Sequence, residues 1–238
     1  MNLILFEPGE TAASLPREDR RAVHLVKVLR RQVGDTFDAG LVDGPRGKGT
    51  IAAIGERALT LRFDWAGEPP PLDPITLIVG LPRPQTARDI LRDATTLGVS
   101  AMHFVATDKA DPNYAQATLW QRGEWRRHLI AGAEQAFSTR IPAVSHGRPL
   151  AAVLAEQPAA IRLALDNYES PSLLSHCPAL HDHRVVLAVG PERGWSAAER
   201  DVLREQNFSL AHLGPRVLRT ETAVVAALAI VKAKLGRA

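Results

Sequence analysis

The sequence is poor in cysteine and in aromatic residues: there is one cysteine, Cys177, and Phe, Trp and Tyr make up only 5% of the chain. A single thiol excludes an intramolecular disulfide framework and a four-thiolate metal site within one chain. This favours a reducing compartment, and the cytoplasm is the expected location. The start, MNLILFEPGE, has no basic segment before its short apolar run and no small-residue cleavage site after it. No secretory leader is therefore expected. No run of about 18 apolar residues exists, so neither a membrane span nor a membrane partner is expected. Phosphate-binding signatures are also missing: there is no G-x-x-x-x-G-K-[ST], and no G-x-G-x-x-G follows a strand-like run. Gly44-Pro45-Arg46-Gly47-Lys48-Gly49 imitates such a loop, but no helix follows it and a basic hairpin tip is the expected reading. His176-Cys177 and His181-Asp182-His183 lack the His-x-Glu and Pro-Cys-x-x-Cys pattern of zinc deaminases. They read as loop histidines, and no metal is expected.

What is present is an ordinary globular balance, with 45% hydrophobic and 23% charged residues over 238 positions and a net charge of +3. That length suits two domains. The mild positive charge permits a nucleic-acid partner without requiring one. Its distribution says more, because Arg20, Arg21, Lys27, Arg30 and Arg31 form a stretch with no acid between them. Such a stretch is either a solvated face or a phosphate-contacting one.

Four prolines within 69–74 hold the chain extended and mark a boundary, giving domains 1–72 and 73–238. Before it, short strand-like runs at 3–6, 36–41, 49–54 and 58–63 surround one helical piece at 18–30, the pattern of a small β-barrel or sandwich. After it, strand-like runs at 75–79, 102–106, 161–165, 185–189 and 208–213 alternate with helical spacing at 86–97, 119–137, 196–205 and 220–235. That alternation predicts an α/β domain with a mostly parallel sheet.

Two segments carry candidate chemistry. In the first, the buried-type strand Val185 to Val189 runs into Gly190-Pro191-Glu192-Arg193-Gly194-Trp195, and Ser196 with Glu199 forms a capping box that starts a helix. This corner exposes backbone N–H groups and carries little bulk near Gly190, so it suits a flat ligand. A larger residue at Gly190 is expected to plug the site without unfolding the chain. In the second, Leu213-Gly214-Pro215-Arg216-Val217-Leu218-Arg219-Thr220-Glu221-Thr222 precedes a helix that is apolar nearly all round. Such a helix must be buried on several sides, and a second copy of the chain is the expected partner. Arg219 and Glu221 read either as a surface ion pair or as site residues. Between a loop and a buried helix, Arg219 is expected to be fixed in place.

Together these segments resemble the bacterial family of 16S rRNA (uracil-N3) methyltransferases. The resemblance extends to His24-Leu25-x-x-Val28-Leu29-Arg30, Asp43-Gly44, Ala94-x-x-Leu97-Gly98-Val99 and Ala133-Glu134-Gln135 with Arg140-x-Pro142. It implies a PUA-like RNA-binding barrel followed by a SPOUT α/β domain with a trefoil knot, a homodimer, and ribosomal RNA as substrate, within the assembled small subunit. The methyl donor implied is S-adenosyl-L-methionine (SAM), held by Leu165, Gly190, Pro191, Glu192, Leu213, Gly214, Val217, Leu218 and Thr222. Arg219, Glu221 and Arg216 are the implied catalytic residues, and the basic stretch is the implied RNA contact. The sequence departs from the family pattern at Arg193, at 80–85, at Asp93 and Thr96, at Ser138, and at the start, Asn2-Leu3-Ile4-Leu5-Phe6. The SAM-holding loops match better than the RNA-facing ones. Methylation of another RNA by the same class of enzyme, and RNA binding without catalysis, are the competing readings.

Overall fold

The computed structural model describes residues 3–12, 14–181 and 183–237, so Asn2 and Asp182 lie outside the described residues. The chain divides into two compact units, Met1–Pro71 with Ala133–Ile141, and Leu72–Gly132 with Pro142–Ala238.

The first unit contains β1 (Ile4–Phe6), β2 (Leu15–Pro16), α1 (Arg20–Val23), β3 (Thr36–Leu41), β4 (Arg46–Ile54) and β5 (Ala58–Trp65). The sheet order is β1-β3-β4-β5-β2, antiparallel except where β1 pairs with β3. Alternation along the strands turns Phe37, Ala39, Ile51 and Leu59 inward onto Phe6 and Leu25. The helix expected over 18–30 is only partly α-helical. Asp19 caps its start by accepting the Arg21 N–H, but His24–Val28 is a π-helix, in which the Leu29 N–H reaches back five residues to His24 O. The segment ends at Arg30 with φ 53°, a backbone state uncommon outside glycine.

Residues 133–141, which the sequence places in the second domain, belong to this unit. The β3–β4 hairpin satisfies their polar groups: Thr139 O accepts the Asp43 N–H at 2.8 Å, and the buried Thr139 hydroxyl donates to Gly44 O at 2.6 Å. Arg46 Nη1 donates to Phe137 O at 2.9 Å. Hydrogen bonds so distant in sequence leave no composition signal.

The second unit contains β6 (Asp73–Gly80), α2 (Pro84–Thr96), β7 (Val99–Ala106), α3 (Thr118–Gln121), α4 (Trp125–Gln135, its final turn lying in the first unit), β8 (Ala143–Pro149), α5 (Leu150–Ala155), β9 (Ile161–Leu165), β10 (Ser172–Leu173), β11 (Val185–Val189), α6 (Ala197–Glu205), β12 (Ser209–His212) and α7 (Thr220–Leu235). Its sheet runs β10-β12-β9-β11-β6-β7-β8, and every pairing is parallel. Every residue of β11 is buried, as a parallel strand covered on both faces requires. The single helix expected over 119–137 is broken at Gly123, whose φ of +67° suits a helix end. β8 has no apolar alternation and was not legible as a strand; it lies at the sheet edge and is largely solvated.

α7 buries one stripe, Val224, Ala227, Leu228, Val231 and Leu235, and leaves Val225 38% exposed. Burial nearly all round is thus not achieved within one chain. Lys232 anchors the helix by donating to Asp73 Oδ2 at 2.6 Å and Leu97 O at 2.8 Å. Among the described residues, no helix is long and apolar enough to cross a membrane.

Candidate functional site

β6 and β11 lie side by side and parallel, so their C-terminal ends, Gly80 and Val189, open on the same sheet edge. Ligands of open parallel sheets collect at that edge. The turn after β11 presses against Gly80: a Cβ there would meet Pro191 Cδ at 2.4 Å and Pro191 N at 2.7 Å. The turn is then fastened from several sides. Trp195 is fully buried and its indole N–H donates to Leu165 O at 3.0 Å. Lys109 Nζ donates to Trp195 O at 2.8 Å. Ser196 and Glu199 form the capping box read from the sequence, and Glu199 Oε1 also accepts the Asp108 N–H at 2.8 Å.

Around this turn lies a cavity of about 260 Å³, walled by the end of β9, the turn itself and the 213–223 segment. Leu165, Gly190, Pro191, Glu192, Leu213, Val217 and Leu218 line it, and so does Arg216. Gly214 and Thr222 are not in its wall. The Gly214 N–H instead donates to His212 Nδ1 at 3.1 Å, and Thr222 is exposed on α7. Gly190 is also more constrained than a simple plug site. A Cβ there would sit 3.1–3.2 Å from Gly194 and Trp195 backbone atoms. A bulky residue would therefore push on the turn itself as well as fill the cavity.

Among the wall residues that the sequence did not single out are Asp166, Asn167 and Tyr168. The Asp-Asn pair after β9 was the available signal, because Asp side chains bond their own backbone two residues on. Asp166 Oδ1 accepts the N–H groups of Tyr168 at 2.8 Å and Glu169 at 2.6 Å, while Oδ2 accepts from Arg200 Nε at 2.7 Å. Burial alone would push the Asp166 carboxyl up. The bonds from Arg200, Glu169 and Tyr168 outweigh it and hold the group below its usual value. The Arg200 guanidinium lies over the Tyr168 ring at 5.2 Å, and that ring stands exposed beside the cavity.

A second cavity, also about 260 Å³, is lined by Arg83, Glu192, Val217, Leu218, Arg219, Thr220 and Glu221. The two cavities share Glu192, Val217, Leu218 and Thr220 as a common wall. Glu192 Oε1 is engaged by the Arg83 N–H at 2.9 Å and by Arg83 Nε at 3.3 Å. The structure therefore separates the three catalytic candidates, with Arg216 at the first cavity and Arg219 and Glu221 at the second. The Arg219 backbone is fixed as the N-cap of α7, at φ −63° and ψ 151°. Its side chain is exposed, and among the described residues neither it nor Glu221 has a hydrogen-bond or ion-pair partner. No group of three or more His, Cys, Asp or Glu residues among the described ones could hold a metal.

Of the basic stretch, Arg20, Lys27, Arg30 and Arg31 are exposed. Arg21 is not a free cation. It donates to Glu10 at 2.7 and 2.9 Å, to Asp19 at 2.8 Å and to Leu5 O at 3.2 Å, with its guanidinium over Phe6. Its hydrogen bonds hold the carboxyls of Glu10 and Asp19 below their usual range. Arg21 is a post within the first unit rather than a ready phosphate contact.

Residues 68–232 match the family model described as "RNA methyltransferase domain", which sets the class. The full-length relatives narrow it. Ribosomal RNA small subunit methyltransferase E of Treponema pallidum is 33% identical, over 98% of this chain and 91% of that protein. Ribosomal RNA small subunit methyltransferase E 1 of Borreliella burgdorferi is 27% identical, over 99% of each. The chain belongs to the ribosomal RNA small subunit methyltransferase E family. In fold it is similar to the Neisseria gonorrhoeae member solved bound to S-adenosyl methionine (TM-score 0.79, 23% identity, covering 99% of this chain and 98% of that one). It is similar too to a probable rRNA-methyltransferase from Porphyromonas gingivalis (TM-score 0.80, 22% identity, 98% of each).

Proposed function

We propose that this protein transfers the methyl group of SAM to N3 of an unpaired uracil in small-subunit ribosomal RNA. The observation that carries this reading is the pair of cavities sharing one wall, because group transfer needs two molecules held against each other. The names of the relatives supply rRNA, and the N. gonorrhoeae structure supplies SAM.

The residues at the first cavity fit SAM. The close approach of Gly80 and Pro191 and the small residues at 190 and 194 leave backbone N–H and C=O groups to meet a flat adenine. Arg216 is a cation for the carboxylate of the methionyl end. SAM brings an electrophilic methyl group, and everything else falls to the protein. Uracil N3 carries a proton at neutral pH, so N3–H must break as the N3–CH3 bond replaces the S–CH3 bond of the donor, whose sulfur would leave as a neutral thioether. Glu221, which spends no bond on a neighbour, is the carboxylate assigned to that proton. Glu192 is occupied by Arg83 and keeps the shared wall in place. Arg219 lies on the same cavity and offsets the negative charge that develops on the uracil oxygens. N3 is on the pairing edge, so the base must be extruded into the second cavity.

The same reading assigns a trefoil knot to the second unit and a PUA-like, RNA-contacting role to the first. The insertion of β12 between β9 and β10 suits a knotted chain path. It also assigns a homodimer, in which the uncovered side of α7 with Val225 packs on a second copy, and a cytoplasmic location on small-subunit particles. The test is nucleoside mapping of ribosomal RNA from a strain lacking the gene. Loss of N3-methyluridine, restored by the wild-type gene and not by an Arg219→Ala version, is the expected result. An unchanged N3-methyluridine content removes the proposal.

A further inference from the structure

The first unit contains a cavity of about 330 Å³ that the reaction does not use, and all the residues lining it belong to that unit. Its walls are aliphatic at Ile4, Val23 and Val28 and polar at His24, Arg20, Glu134 and Arg21, the last tied to Glu10 and Asp19. Glu134 is the unusual member. Its side chain is only 16% exposed, its Oε1 accepts the Leu5 N–H at 3.2 Å, and the nearest cation to Oε2 is Arg20 Nη2 at 4.0 Å. One carboxylate oxygen thus keeps most of its acceptor capacity. Burial pushes the Glu134 carboxyl up, so its present donors do not offset its desolvation. The rim is irregular backbone, the π-helix His24–Val28 followed by Arg30 at φ 53°, features that collect at functional sites. Val28 at this rim is 63% exposed, and Lys27, Arg30 and Arg31 are exposed near it in the chain.

A partly aliphatic slot with one carboxylate acceptor in its wall, the tied Arg21 beside it and exposed cations at its rim matches an unstacked base whose phosphates stay in solvent. The acceptor also discriminates. A carboxylate accepts only from N–H groups, and guanine offers N1–H and N2–H side by side. Uracil offers one N–H between two carbonyl oxygens, which the carboxylate repels. We propose that this cavity holds one unpaired guanine of the RNA substrate, read by Glu134, as an anchor separate from the methylated nucleotide. The proposal rests on the RNA methyltransferase reading.

The test compares three labelled single strands of about ten nucleotides by fluorescence anisotropy: oligouridine, the same strand with one central guanosine, and the same with inosine, which lacks the 2-amino group. Wild-type protein should bind the guanosine strand about tenfold more tightly than oligouridine, the scale of one hydrogen bond to a charged group, with inosine between. Glu134→Gln keeps an acceptor for the Leu5 N–H but presents an amide donor to the base. It should reduce the preference to under about threefold and leave the salt dependence of binding unchanged. Val28→Trp, at an exposed rim position, should do the same by filling the slot and covers the case in which Glu134→Gln does not fold; circular dichroism melts of the full chain report folding of both. Equal wild-type affinity for guanosine and uridine strands overturns the proposal, as does a preference that survives in a folded variant. Failure to bind any strand overturns it too, and methylation of small-subunit particles by the same protein then shows whether the RNA methyltransferase reading itself stands.

Discussion

Arg219 combines a fixed backbone with a free side chain, which is what a residue that meets its partner only in the substrate complex requires. A guanidinium offers a planar pair of donors that an ammonium cannot copy. Arg219→Lys should therefore slow single-turnover methylation of small-subunit particles by about 10²-fold, the scale of losing one preorganised donor. SAM affinity should change little, because Arg219 lines the second cavity and not the first. Asp166 has the opposite character, buried and fully engaged. Asp166→Asn removes the charge facing Arg200 while Glu169 still pairs with it at 3.2 Å, so thermal or urea unfolding should show a loss of about 3 kcal/mol, the low end for a broken buried pair. The Asp166 carboxyl lies below its unfolded value, so its contribution is present above about pH 4 and is lost as pH falls through the lower folded value. Acid unfolding of Asp166→Asn should accordingly be less steep than that of the wild type in that range. Asp166 was visible in the sequence only as half of an Asp-Asn turn, because Arg200, its partner, lies far along the chain.

At the scale of elements, the basic stretch is the informative case. Its composition predicted five equivalent cations, and the fold sorted them: Arg21 is tied to Glu10 and Asp19, while Arg20, Lys27, Arg30 and Arg31 remain exposed. Each phosphate neutralised adds about 0.7 to the salt slope on single strands and about 0.9 on duplex. Replacing Arg30 and Arg31 together by Gln should flatten the slope of RNA binding by one to two such increments. Arg21→Gln should instead destabilise the first unit with little change in slope among molecules that remain folded. An unchanged slope in the first variant places the RNA elsewhere. The buried strand β11 and the helix α7 were legible to the residue, since sustained apolar runs have few alternatives, and so was β9, although only its Leu163 and Ala164 are buried. The edge strand β8 and the π-turn at His24 were not, because neither leaves a hydrophobic period.

At the scale of the whole molecule, α7 is the element left unfinished. One stripe is spent on the chain's own core, while Val225 stays exposed on the helix and Val217 is 80% exposed in the loop before it. Sedimentation at micromolar concentration should give twice the 25.8 kDa of one chain, and Val225→Glu should shift the particle toward one chain. A wild-type protein that sediments as a single chain would sink the dimer.

Local sequence was enough for the parallel-sheet α/β character of the second unit, the strands of the first, the two Gly-Pro corners, the capping box at Ser196 and the apolar helix Thr220–Leu235. These are local: each follows from hydrogen-bonding, φ preference or hydrophobic period over a few neighbouring residues. Folding alone places 133–141 with the first unit, ties Arg21 to Glu10 and Asp19, sets Arg216 at one cavity and Arg219 and Glu221 at its neighbour, and puts Glu134 in the wall of a slot. Each of those facts is a pairing between residues far apart in the chain. No periodicity encodes such a pairing, because what fixes it is the packing of other elements around it.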